Sequence, residues 1–408
     1  MSSNYITGLD VGTSSVKVVV AENRNGRPAL RAVFKEPSSG VKKGAVIDLA
    51  EASQAIGRAL GGVKGIAKAA VKNIYLSIGT HQVKAQSSRG IVAVSRADTE
   101  IYQDDIDKVI KASQAVNLAP NRTIIHNITR EFVVDGVGDI FDPLGLSGSR
   151  LEVNSLVVDA FSPHIKSLVR AVELGGGSVS GLIFGPIVSS RSSLSKNQKE
   201  LGAVLIDIGF GTTGVGVYEE GKLINAVKFP VGAGNISNDL AVGLKIPVDA
   251  AEDLKLSYGY ALSKEVGQKE SVDLKKFYPQ AKGGVSRRFV AEIIESRLSE
   301  ILELVNGELK TLGKGGQLPG GAILVGGGAK MPGLTELVKR ELKLASQIGL
   351  TLNGEWESQG SDFSEFLEDP EYAVAFGLVL HGTDEEEWQK RGSFSGFSIR
   401  KAVKYFLP

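Results

Sequence analysis

The 408-residue chain has no cysteine, which excludes disulfides and thiolate chemistry and suits a cytoplasmic setting. It also lacks any apolar run approaching the roughly 20 residues of a membrane-spanning helix. Residues 1–5 carry neither the basic nor the apolar stretch of an export signal, so the expectation is a protein neither exported nor integral. An excess of one charge is missing too: at net +1 the chain is a poor general binder of polyanions such as nucleic acid. Four scattered histidines, His81, His126, His164 and His381, have no metal-ligand spacing and read as structural or surface residues. No Walker-type phosphate loop, G-x-x-x-x-G-K-[ST], occurs. What remains, 42% hydrophobic and 23% charged residues, is the composition of a soluble globular chain long enough for two or three domains.

Against these absences stand two loops of one chemical type, Asp10-Val11-Gly12-Thr13-Ser14-Ser15 and Asp207-Ile208-Gly209-Phe210-Gly211-Thr212-Thr213. Each follows an apolar run (residues 5–9 and 203–206) and enters a second β-rich run (16–21 and 215–218), so each is a hairpin tip. Clustered Gly and hydroxyl residues there expose backbone N–H groups and Oγ atoms that cradle phosphate oxygens. The leading acids repel phosphate, so Asp10 and Asp207 facing one cleft imply a hydrated Mg²⁺ between carboxylates and phosphates. Lys17 reaches a phosphate as a point charge. One such loop is also what an ordinary hairpin turn looks like; its recurrence at the same place in both halves favours phosphate. Gly209 to Gly214 matches the dinucleotide pattern G-x-G-x-x-G, but a strand follows where a Rossmann loop must open a helix.

Along the chain, residues 5–34 read as a meander, 49–60 as a helix and 74–78 as a strand. Residues 87–163 form a compact α/β module inserted between two pieces of the first half. It contains strands at 91–94, 124–128, 132–134 and 151–158 and a helix at 104–116 with Ile106, Val109, Ile110 and Ser113 on one face. In the second half, residues 289–309 form a long helix whose stripe is Phe289, Ile293, Ile294, Leu298, Ile301, Leu302 and Val305. A buried strand at 322–325 runs into Gly326, Gly327 and Gly328, where side-chain-free backbone lets a base and ribose lie close. Residues 384–387 read as mobile and acidic, 391–396 as linker and 398–407 as a helix.

That last helix places Ile399, Ala402, Val403 and Phe406 on one face at about 100° per residue and Arg400, Lys401 and Lys404 on the other. Phe397 staples its first turn, and Leu407 completes the apolar end. Such a helix suits an in-plane membrane anchor; docking on the protein's own body is its other use.

The three motifs in this order, with Ser39-Gly40-Val41-Lys42-Lys43-Gly44, Ile294-Glu295-Ser296-Arg297 and Asp369-Pro370-Glu371-Tyr372-Ala373, resemble the FtsA family, the bacterial cell-division branch of the actin-like ATPases. The resemblance spans nearly the whole chain. It implies an α/β, actin-like two-lobed fold of duplicated RNase H-like domains, with an inserted small α/β subdomain and a C-terminal amphipathic helix. The implied divisions are 1–86 with 164–200 (first lobe), 87–163 (insertion), 201–236 with 313–382 (second lobe core), 237–312 (outer subdomain), 383–397 (flexible linker) and 398–408 (membrane helix). It further implies ATP with Mg bound between the lobes by Asp10, Gly12, Thr13, Ser14, Lys17, Asp207, Gly209, Gly211, Thr212, Thr213, Gly326, Gly327 and Gly328. Glu252 and Lys255 lie where relatives touch ribose or base.

Its implied partners are further copies in a polymer, the anionic inner face of the cytoplasmic membrane at the septum, other division proteins, and FtsZ, whose tail would meet Arg287, Arg288 and Arg297. Actin-like enzymes take a water-positioning acid, amide or imidazole from the segment joining the lobes. Here residues 174–197 hold no Asp, Glu, Gln or His, so no catalytic residue is assigned and slow or negligible turnover is expected. Alternatives are a PilM-like pilus scaffold, against which the insertion and terminal helix weigh, and a sugar-kinase-type phosphotransferase, for which no carboxylate base is evident.

Overall fold

A computed structural model describes residues 4–351, 353–357 and 363–390. Two five-stranded sheets of identical plan dominate it. In the first, Tyr5–Val11, Ser15–Arg24 and Arg27–Pro37 form the antiparallel meander, and Ile74–Ile78 and then Val179–Phe184 add in parallel beside the first strand. In the second, Ala203–Ile208, Thr213–Glu219 and Lys222–Phe229 repeat the meander, and Ala322–Val325 and Ser346–Ile348 repeat the parallel pair. Runs such as Val16, Val18, Val19 and Val20 are wholly buried because helices cover both faces of the sheet.

The inserted module has its own sheet, in the order Val83–Ala93, Arg150–Phe161, Arg122–Val134, Val137–Ile140. Its helix Gln103–Ser113 buries the expected face of Ile106, Val109, Ile110 and Ser113 against Phe132, Leu151 and Val153. The helix ends three residues before the predicted stop, and Ser113 turns its hydroxyl back to the Ile110 carbonyl at 2.7 Å. The predicted pair 124–128 and 132–134 is one continuous strand. Arg130, which interrupts the apolar pattern, reaches the second lobe: its guanidinium donates to the carbonyls of Leu223 (3.1 Å) and Ile224.

In the long helix Arg287–Thr311 the core positions are Val290, Ile294, Leu298, Ile301, Leu302 and Val305. Phe289 is exposed and Ile293 half-buried, because the buried face begins one residue later than the predicted stripe, and one residue is about 100° of helix.

The largest departure from expectation is at the end. Helix Ala373–Lys390 packs on the first sheet, against Tyr5–Val11, Ser15–Arg24 and Ile74–Ile78, whereas helix Gly185–Ser193 packs against the second. Residues 373–382 therefore belong with the first lobe and not the second. The two helices cross in close contact: a Cβ on Gly377 would lie 1.9 Å from the Val188 carbonyl oxygen, so only glycine fits. Residues 383–390 continue this helix and are no linker. Asp384 pairs with Arg191 through two hydrogen bonds of 2.8 and 3.1 Å, and Glu386 accepts from the side chains of Asn4, Asn23 and Asn73. The acidic run is thus held by distant partners rather than solvated. The predicted linker residues 391–397 and helix 398–408 lie outside the described residues.

His126 is buried, and His381 is half-buried with its Nε2 shut off from solvent. Burial, helped in His126 by His381, pushes His126 down to about 3, and burial pushes His381 to about 4 against the opposing pull of Asp384. The His126 ring accepts the Phe184 amide at 3.0 Å and so stays neutral in the fold. Above about pH 6.5 both rings are neutral folded or unfolded. Below it only the unfolded chain gains the protons, and stability falls by about 1.4 kcal/mol per pH unit per histidine. The thermal midpoint should therefore drop between pH 6.5 and 4, and H381F, which keeps a ring beside Tyr75, should show a shallower drop; equal slopes would refute this.

Candidate functional site

The plan of the two sheets points both hairpin tips into one cleft. The tips close alike, Gly12 N–H to Ser15 O at 3.0 Å and Gly209 N–H to Thr212 O at 2.9 Å. They also meet, since a Cβ on Gly211 would lie 2.7 Å from Thr13 Oγ1 of the other lobe. The cleft holds about 520 Å³ and is lined by Asp10, Gly12, Thr13, Ser14, Lys17, Asp207, Gly209, Gly211, Thr212, Glu252, Lys255, Gly326, Gly327 and Gly328. Of the predicted nucleotide residues only Thr213 is absent from the lining. It is fully buried, its hydroxyl donating to the Val231 carbonyl at 2.9 Å, so it braces the loop from behind.

Asp10 accepts from Ser77 Oγ at 2.7 Å and from Lys17 Nζ at 3.3 Å. Asp207 is buried, and burial raises its carboxyl above the ordinary aspartate value; Lys228 counters this, while the Asp10 charge adds to it. Each carboxylate disfavours ionisation of the other, and positive charge nearby relieves this, as Lys228 and Lys17 do for Asp207. Among the described residues no cluster of three or more acids or histidines could cage a metal. Two carboxylates beside an open cleft fit a cation of the Mg²⁺ type, which keeps most of its waters.

At the other end, Lys255 donates to Glu252 at 2.7 Å, Ser237 Oγ at 3.0 Å and the Ala233 carbonyl at 3.2 Å, and its ammonium lies 5.6 Å from the Phe210 ring centre. Burial pulls the Lys255 ammonium below the ordinary lysine value, with Glu252 opposing. Gly326, at φ 86°, donates its N–H to the Pro370 carbonyl at 2.9 Å; a Cβ there would lie 2.5 Å from Asp207 Oδ1. Residues the sequence reasoning missed also line the cleft: Ser77, Lys35, Lys228, Lys330 and Glu371. Glu371 pairs with Lys35 at 2.7 Å and Lys330 at 3.1 Å. Burial favours its neutral form, but these lysines and Lys17 outweigh burial and hold the carboxyl below the ordinary glutamate value. The quoted motif around Asp369-Pro370-Glu371 was a usable signal for that residue; nothing local marked Lys228.

The three partner arginines are not equivalent. Arg297 is clamped on Asp239 at 2.6 and 2.9 Å, and Arg287 on Glu270 at 2.6 Å. The shallow depression beside Arg297 is walled by Asp239, Glu292 and Glu300, a poor face for an acidic peptide. Arg288 alone of the three makes no ion pair among the described residues. Phe397, Ile399, Arg400, Lys401, Val403, Lys404, Phe406 and Leu407 lie outside the described residues.

Residues 204–377 match the family described as "Cell division protein FtsA", and residues 80–159 that described as "SHS2 domain inserted in FTSA". Cell division protein FtsA of Borreliella burgdorferi is 33% identical over 98% of this chain and 96% of its own length. That of Escherichia coli K12 is 30% identical over 98% and 97%. The chain belongs to the FtsA family. Solved structures share the fold: a PilM–PilN type IV pilus biogenesis complex (TM-score 0.67, 18% identity, 93% of this chain and 98% of that one) and MreB 5 of Spiroplasma citri bound to AMPPNP (0.56, 14%, 96% and 100%). The FtsA matches thus decide against the pilus alternative, since the PilM likeness speaks only for the actin-like architecture. The matched insertion, residues 80–159, starts ahead of the expected boundary at 87, as does the module's first strand, Val83–Ala93. No helix among the described residues is long and apolar enough to cross a membrane.

Proposed function

We propose that this FtsA-family cell-division protein binds ATP with Mg²⁺ between its lobes, polymerises, and tethers FtsZ filaments and other division proteins to the cytoplasmic membrane face. The observation that carries the nucleotide reading is the meeting of two equivalent hairpin tips, each led by an aspartate, in one cleft. In this reading the backbone N–H groups of both tips, with Thr13, Ser14 and Thr212, cradle phosphates, Lys17 adds a charge, and Glu252 and Lys255 meet the ribose or base. Asp10 and Asp207 would hold the hydrated metal ion, which would offset their charge against that of the phosphates. Gly326, Gly327 and Gly328 leave room for a flat ligand.

Of the segment joining the lobes only Gly185 lines the cleft, and it has no side chain to position water; Asp10, Glu252 and Glu371 are held by Ser77, Lys17, Lys35, Lys255 and Lys330, and Asp207 is given to the metal in this reading. The nucleotide then serves as a conformational ligand. Phosphate release by the purified protein should stay well below about 1 s⁻¹, the low end of ordinary catalysis; a rate at or above that contradicts it.

Three cations at about 1 kcal/mol each on an anionic leaflet, with a few apolar side chains, give the terminal segment weak, reversible attachment. Polymerisation makes it firm through effective concentration. Full-length protein should co-sediment with anionic phospholipid vesicles more strongly with Mg-ATP than without, and a chain ending at Lys390 should stay in solution. The cut belongs at Lys390 because residues 383–386 pack into the fold. Equal sedimentation of both chains would overturn the anchor.

Of the three arginines assigned to the FtsZ tail, Arg288 is the one without an ion pair among the described residues. Charge reversal, R288E, should weaken tail-peptide binding several-fold and leave ATP affinity unchanged; unaltered peptide titration would count against this surface.

A further inference from the structure

Lys228 stands in the cleft without an assigned task. It sits on Lys222–Phe229, the edge strand of the second sheet, opposite Gly214 of the hairpin strand. Every other lysine of the cleft is committed to an acid: Lys17 to Asp10 (3.3 Å), Lys35 to Glu371 (2.7 Å), Lys255 to Glu252 (2.7 Å), Lys330 to Asp369 (2.5 Å). Lys228 has no carboxylate within 4.0 Å among the described residues, yet it is the foremost charge acting on buried Asp207, ahead of Asp10 and Lys17.

Its ammonium projects toward Gly185, where a Cβ would lie 3.3 Å from Nζ. Gly185 follows strand Val179–Phe184 and opens helix Gly185–Ser193, so it marks the inner end of the cleft where the chain passes between lobes. Glu252 and Lys255 lie on the outer subdomain's helix Val248–Tyr258, at the end assigned to ribose and base. A chain of phosphates laid from the outer end inward, past the two tips, finishes at Lys228.

We propose that Lys228 contacts the terminal phosphate of a nucleoside triphosphate and makes the site prefer triphosphate over diphosphate. The inference rests on the nucleotide reading above and adds a residue to it. It also gives the bare Gly185 a reason: with no side chain there, the ammonium has room beside Asp207. An ammonium donates hydrogen bonds and cannot take a proton from attacking water, so the group filling the inner end strengthens binding without supplying a base.

Calorimetric titration of the full chain with Mg-AMPPNP and with Mg-ADP tests this, in wild type, K228M, K228R and G185A. Loss of a charge-assisted hydrogen bond predicts that K228M weakens AMPPNP about ten-fold or more and ADP less than about two-fold. K228R should recover part of the difference, and G185A, which crowds Nζ, should narrow the preference with an unchanged melting temperature. Should K228M prove unstable, G185A and K228R carry the test. An equal loss for both nucleotides, or an unchanged ratio in K228M and G185A, overturns the role of Lys228 while leaving the nucleotide site intact. Wild type binding neither nucleotide overturns the site itself and the proposal with it.

Discussion

Asp10 and Asp207, carried by different lobes into one cleft, are the constraint around which the molecule is organised. Asp207 is buried, and the charges that act on it are those of Lys228, Asp10 and Lys17. A buried carboxylate facing a second one is costly unless positive charge lies between them. The cleft answers with lysines from both lobes and with glycine at the points of closest approach, which leaves the space between the tips open. The family's actin-like architecture is the means of bringing one aspartate-led hairpin to face another.

Holding the lobes in that relation falls to the crossed helices. Helix Gly185–Ser193 leaves the first sheet and packs on the second, and Ala373–Lys390 does the reverse, so each lobe covers part of the other's core. Arg191 and Asp384 fix the crossing with a two-point ion pair of partial exposure, and Ser192 Oγ adds a bond to the Ala373 carbonyl at 2.7 Å. The inserted module supplies a further strap: Arg130 grips the carbonyls of Leu223 and Ile224, and Lys222 pairs with Asp139 at 2.8 Å. The strand so gripped is the one that carries Lys228 into the cleft.

Much of this was legible in the sequence because hairpins and buried strands are local patterns. The tips at Gly12 and Gly209, the strands Ile74–Ile78 and Ala322–Val325 and the buried face of Gln103–Ser113 follow from alternation, helical spacing and turn residues alone. What the sequence concealed depends on partners far away in the chain. Residues 384–387 look solvated until Arg191, Asn4 and Asn73 are brought to them. Arg130 looks like a strand break until the second lobe arrives. Thr213 shares the composition of its loop, but its hydroxyl is taken by Val231, and Lys228 is an unremarkable strand lysine until the sheet twists it toward Asp207. Phe289 sits one residue off the buried face, a difference that periodicity alone leaves open.

The most direct test is a crystal structure of the full chain grown with Mg-AMPPNP. The account predicts the triphosphate held between residues 12–15 and 209–212, with a hydrated metal ion lying between the phosphates and the Asp10 and Asp207 carboxylates. A cleft that stays empty at saturating nucleotide, or a nucleotide bound elsewhere on the surface, would contradict it.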